Sequence, residues 1–154
     1  MNLSELIAPE AIIPALKANS KKQVLQILSE KAAELTGLNE RVIFDIVLQR
    51  EKLGSTGLGG GIAIPHGKLP DIHRIIGLFA RLESPVDFEA LDDEPIDLIF
   101  LLLAPENAGA DHLKALSQIA RVLRHVDVVQ KLRNTHDAHA LYILLIQNSE
   151  SNAA

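Results

Sequence analysis

The chain has 154 residues, one domain's worth under the usual prior of about 100–200 residues per domain, and its 47% hydrophobic and 23% charged content is ordinary for a globular protein. No cysteine is present, which excludes disulfide frameworks, thiolate metal sites, iron–sulfur clusters and cysteine nucleophiles. With 15 Lys and Arg against 20 Asp and Glu, and 3% aromatics, the chain lacks both the charge and the stacking surface of a nucleic-acid binder.

In chain order, Met1–Glu5 shows no basic segment leading into an apolar core, so no export signal is expected. Ala11–Ile13 reads as a short edge strand. Ser20 caps a helix whose stripe of Val24, Leu25, Leu28, Ala32 and Leu35 stops at Gly37. Asn39 caps a second helix, with Val42, Ile43, Ile46, Val47 and Leu53 on one side and Gly54 at its end. The linker is so short that the two helices should be neighbours.

Five glycines between Gly54 and Gly61 predict an irregular loop with nothing to hold regular structure. Ile62–Ile64 predicts a short strand, and Pro65 forces Ile64 into extended geometry. Arg74–Leu82 and Ile96–Ala104 read as longer strands, their apolar runs too continuous for one-sided exposure. After a turn at Pro105–Gly109 come helices over 111–124, 126–132 and 135–147. The longest apolar run, Leu98–Ala104, is far below the about 18 residues of a membrane span. These elements predict an α/β fold: a single domain over residues 1–148, with a mixed, mostly buried sheet flanked by helices on both faces, and a polar tail over 149–154. A cytoplasmic protein, not itself embedded in a membrane, is the matching expectation.

The chemistry concentrates in Arg50–Lys68. This stretch delivers an arginine at a helix end, a pliable glycine-rich segment, and His66 just past a buried strand. Loops at the ends of buried strands are where α/β proteins place their sites. Pro65 stiffens the entry to His66, and Gly67 removes side-chain bulk behind it. A lone histidine would read as a turn residue; the flanking glycines and Arg50 favour a site. On its helix His112 shares a face with Leu116, Ile119 and Leu123, so it points toward the body of the protein. Its place in the first turn disfavours the imidazolium. The guanidinium fork of Arg50 matches phosphate oxygens, and Ser55 and Thr56 could add donors.

Rival sites are weaker. Gly57, Gly59 and Gly61 meet neither nucleotide-loop pattern. His66, Asp71 and His73 match no standard metal spacing, and His73 is expected to open a strand. His125, His136 and His139 read as surface residues, and Asp92-Asp93-Glu94 as a solvated turn.

The stretch Arg50-Glu51-Lys52-Leu53-Gly54-Ser55-Thr56-Gly57-Leu58-Gly59-Gly60-Gly61-Ile62-Ala63-Ile64-Pro65-His66-Gly67-Lys68 resembles the signature of phosphotransferase-system IIA domains of the fructose/mannitol type, most closely the free-standing nitrogen-regulatory members. The family's commoner asparagine among the loop glycines is Gly60 here. The resemblance implies that His66 accepts a phosphoryl group on Nε2 from an HPr-like phosphocarrier. It also implies that His112 is the second active-site histidine and that Arg50 faces the phosphate; Ser55 and Thr56, from the loop's own chemistry, are the further candidate phosphate contacts. It implies no cofactor and no metal. The expected function is regulation of partner proteins, such as transport or sensor proteins, by phosphorylation state. A stand-alone sugar-transport IIA component passing phosphate to a IIB protein is the alternative.

Overall fold

The computed structural model describes residues 2–153, with side chains through Ser149. After a 3₁₀ turn at Leu3–Glu5 come strand β1 (Ile7–Leu16) and helices α1 (Lys21–Thr36) and α2 (Glu40–Leu53). Strands β2 (Gly57–Gly59), β3 (Ile62–Ala63), β4 (His66–Leu69), β5 (Ile76–Val86) and β6 (Ile96–Pro105) follow. Helices α3 (Ala110–Leu123), α4 (Val126–Arg133) and α5 (Ala138–Ala153) complete the order.

The six strands form one mixed sheet in the order β1-β5-β6-β3-β2, with β4 also paired to β6. β1 runs parallel to β5, β5 antiparallel to β6, and β3 and β4 both parallel to β6. Leu98–Ala104 of β6 is buried throughout. Such a strand needs cover on both faces. The α1–α2 pair supplies one layer and the α3–α4–α5 group the other, as their separate mutual contacts indicate.

Local chemistry explains the helix ends. Ser20 Oγ accepts the Gln23 N–H at 3.1 Å, and Gly37 closes α1 with φ 76°. Asn39 Oδ1 accepts the Val42 N–H at 3.1 Å, opening α2. α5 begins later than expected from 135, because Asp137 caps it by accepting the Ala140 N–H at 2.9 Å.

Four expectations need correction. β1 is ten residues long rather than three, although it contains Pro9 and Pro14. An edge position tolerates the missing N–H groups, and the pairing with β5 slips at two places. The glycine-rich segment is not irregular: β2 and β3 form an antiparallel hairpin. Gly60 and Gly61 turn it with φ 66° and 85°, a geometry that glycine adopts freely. His73 opens no strand, since β5 starts at Ile76. Ser149, assigned to a polar tail, is fully buried. Its hydroxyl accepts the Leu3 N–H at 2.8 Å and the Gln118 side-chain amide at 2.9 Å, tying the first turn of the chain to α5.

Candidate functional site

His66 opens β4 opposite Leu102, near the carboxyl end of β6. The Pro65 carbonyl accepts the Leu102 N–H at 2.9 Å, which seats the residue before His66 against the central strand. Behind the ring, a Cβ on Gly67 would lie 2.7 Å from Ile46 Cγ2, so only glycine lets β4 approach α2 this closely. That approach brings Arg50, in the last turn of α2, against the imidazole.

Both ring nitrogens of His66 are engaged. Nδ1 lies 2.8 Å from the Ile64 carbonyl, which can only accept, so Nδ1 carries the proton. Nε2 therefore keeps its lone pair and accepts from Arg50 Nε at 3.3 Å. Arg50 also donates from Nη1 to the Gly54 carbonyl at 2.9 Å, closing the end of α2. His112 stands across the site, its ring centre 5.5 Å from that of His66. It projects from the first turn of α3 and is only 6% exposed. Its Nδ1 is buried and has no hydrogen-bond partner among the described residues.

Burial pushes the His66 imidazole below its ordinary value of 6.5; the Arg50 cation pushes the same way, against the Ile64 bond and the Glu51 charge. His112 is likewise lowered, by burial first, then by repulsion from His66 should that ring protonate, and then by the Lys68 charge. Both rings are thereby held neutral near pH 7.

His66, His112 and Arg50 line one open cavity of about 600 Å³ together with Ile46, Leu53 and Lys68. A larger cavity of about 860 Å³ between α4 and α5 contains no histidine, and chemistry rather than size selects the site. Ser55 and Thr56 do not join the constellation. Thr56 is buried and spends its hydroxyl and amide on the Glu51 carboxylate. Ser55 Oγ accepts the Gly57 N–H at 3.1 Å and lines a different cavity. Neither residue lines the cavity of His66; Thr56 has both donors committed to Glu51, whereas the Ser55 hydroxyl keeps its own proton. Asp71 and His73 are exposed, and among the described residues no three His, Asp or Glu side chains gather as a metal set. His125, His136 and His139 are exposed. Asp92 is more than a solvated residue, since it accepts the Gly60 N–H at 3.1 Å.

Two further residues bear on the site: Lys68 lines its cavity and Glu51 lies buried beside Arg50 in the chain. Lys68 was detectable once His66 is placed on a strand, because a period of two puts residues 66 and 68 on one face. Glu51 gave no local signal, since its burial comes from a partner on another helix.

The family model described as "Phosphoenolpyruvate-dependent sugar phosphotransferase system, EIIA 2" matches residues 5–148. The chain belongs to this family. A nitrogen regulatory protein of Bradyrhizobium diazoefficiens is 64% identical over 145 residues, covering 94% of this chain and 95% of that one. A nitrogen regulatory protein of Pseudomonas aeruginosa is 43% identical over 147 residues, covering 95% and 96%. Among solved structures, nitrogen regulatory protein IIA-Ntr from Neisseria meningitidis superimposes with a TM-score of 0.88 at 34% identity, covering 93% of this chain and 98% of that one. As an EIIA type 2 domain, the chain is a component of a phosphotransferase system. No helix among its described residues is long and apolar enough to cross a membrane.

Proposed function

We propose that this EIIA domain is a nitrogen-regulatory phosphoprotein that accepts a phosphoryl group on Nε2 of His66 from an HPr-like phosphocarrier. One observation carries the reading. The Ile64 carbonyl fixes the proton on Nδ1, leaving the Nε2 lone pair in an open cavity beside a guanidinium. A nucleophile must be unprotonated to attack, and the lowered basicity of His66 secures that near neutral pH.

The transfer follows from these groups. The Nε2 lone pair attacks phosphorus in line with the carrier's nitrogen–phosphorus bond. As the new bond forms the old one breaks, and its electron pair returns to the carrier's imidazole. In-line transfer of this kind depends on positioning and charge stabilisation. Arg50 is released from Nε2 as the lone pair is consumed, and its fork turns to the phosphoryl oxygens. His112, its ring centre 5.5 Å from that of His66, is a second neutral imidazole that can donate one hydrogen bond to the phosphoryl group. Lys68 adds a second positive charge at the rim.

Regulation follows from the change in charge. Phosphorylation adds about −1.5 to −2 charge. Leu53, 85% exposed, stands at the edge of the same cavity. A partner that packs on Leu53 and meets the cations of this rim reads the unmodified and modified forms differently. Candidate partners are transport or sensor proteins of the cytoplasm.

Incubation with phosphorylated carrier, followed by mass spectrometry under conditions that preserve acid-labile phosphate, tests the reading. A single phosphoryl group should appear on His66, and His66→Ala should take none. Undiminished phosphorylation of the His66→Ala protein refutes the assignment. Rapid onward transfer to a sugar-specific IIB protein would instead establish a transport component.

A further inference from the structure

The contacts around His66 close into a ring that begins and ends on α2. Glu51 follows Arg50 in the chain, and its side chain is 1% exposed. Its carboxylate receives the Lys21 ammonium at 2.8 Å, the Thr56 hydroxyl, and the Thr56 amide at 3.4 Å. The Thr56 carbonyl accepts the Ile64 N–H at 3.0 Å. The Ile64 carbonyl takes the Nδ1 proton of His66 at 2.8 Å, and Arg50 Nε closes the circuit on Nε2 at 3.3 Å. Each nitrogen of His66 is therefore held by a group that leads back to Glu51.

A carboxylate this deep is costly to desolvate, and only a full set of donors offsets the cost. Apolar residues could join α1 to α2 without that cost. Lys21 is itself committed: it donates to the Phe88 carbonyl at 3.3 Å and lies 5.3 Å from the centre of the Phe88 ring. The network thus draws on α1, α2, the hairpin and the Phe88 segment to fix one turn of backbone.

We propose that Glu51 is the positioning residue of this site, fixing the His66 tautomer through Thr56 and Ile64 and the seat of the guanidinium through Arg50. The proposal rests on His66 as phosphoryl acceptor for its kinetic consequence, whereas its effect on the tautomer stands independently. The Glu51 charge also pulls the basicity of His66 upward, against burial and Arg50.

Three full-length variants test it: Thr56→Val, which keeps shape and loses the hydroxyl; Thr56→Ser, which keeps the hydroxyl; and Glu51→Gln, which keeps size and loses charge. Long-range ¹H–¹⁵N spectra of unphosphorylated protein read the His66 tautomer, and phosphorylated carrier supplies kcat and KM. Thr56→Val should mix the two tautomers and lower kcat about 10–100-fold with KM little changed, the scale expected when reacting groups are misplaced by about 1 Å. Thr56→Ser should recover most of that loss. Glu51→Gln should mix the tautomers and also lower the titration midpoint of His66. A merely structural role would lower the melting temperature yet leave the tautomer and kcat of folded protein at wild-type values, and that outcome overturns the proposal. If Thr56→Val fails to fold, Glu51→Gln and Thr56→Ser decide by the same spectra. If wild-type protein takes no phosphate on His66, the acceptor reading falls, and the tautomer comparison alone decides the role of Glu51.

Discussion

At the scale of single residues, the site is a contest over one lone pair. Burial and the Arg50 cation both favour neutral His66, so Nε2 stays unprotonated to a lower pH than in an ordinary imidazole. Phosphoryl acceptance should therefore decline at a lower pH than an ordinary imidazole would impose. Arg50→Gln removes one of the two lowering influences, so the decline should move to higher pH. It also removes a charged donor from the phosphoryl oxygens, worth about 10²–10³ in rate if it acts as an oxyanion donor does. Transfer rates across the pH range, beside ¹⁵N titration of the imidazole, check both expectations. An Arg50→Gln protein with the wild-type rate and an unmoved titration would leave the guanidinium no role. His112→Ala should keep the fold and slow transfer, since its ring stands 5.5 Å from His66 without bonding it in the unmodified state.

At the scale of elements, what the sequence reveals divides by the range of the cause. α1 and α2 were legible because their signals are local: Ser20 and Asn39 cap, Gly37 stops, and apolar stripes recur at helical spacing. β6 was legible as a continuous apolar run. The β2–β3 hairpin was not, because a run of glycines reads as absence of structure unless Gly60-Gly61 is taken as a two-residue turn. What holds that turn is remote: Arg133 reaches from the end of α4 to the Gly60 carbonyl while paired to Asp97 at 2.7 and 2.9 Å. β4 was hidden for the same reason, as a four-residue strand with two polar outward positions exists only by pairing with β6. Within the site, the motif suggests that His66 and Arg50 come together, whereas the contact of Thr56 with Glu51 leaves no local signal. The contact of β4 with α2 gives a sharp expectation. Gly67→Ala inserts a methyl 2.7 Å from Ile46 Cγ2 and should cost about 1–3 kcal/mol by overpacking. Adding Ile46→Ala should return part of that loss, a non-additive pair measurable by chemical denaturation. Full additivity would mean that the two groups do not meet.

Across the whole molecule, two imidazoles, His112 buried and His66 half-buried, link stability to pH. His66 and His112 both titrate below 6.5 in the folded chain, whereas the unfolded chain binds their protons from about 6.5 downward. The unfolded state thus holds more protons in that window, and unfolding free energy should fall as pH drops below 6.5. Denaturation midpoints on either side of pH 6.5 check this, and His66→Ala/His112→Ala should flatten the slope. A slope unchanged in the double variant would place its origin elsewhere. The two ends of the chain are coupled as well. Ser149→Ala leaves the buried Leu3 N–H and the Gln118 amide without their acceptor, at a cost of about 1–3 kcal/mol readable in thermal unfolding. The claim on which function depends, however, sits at one atom of one ring. Long-range ¹H–¹⁵N correlation of the carrier-phosphorylated protein reads that atom directly. The phosphorus should lie on Nε2 of His66, with the proton kept on Nδ1; phosphate on Nδ1, or on any other of the six histidines, would contradict the account.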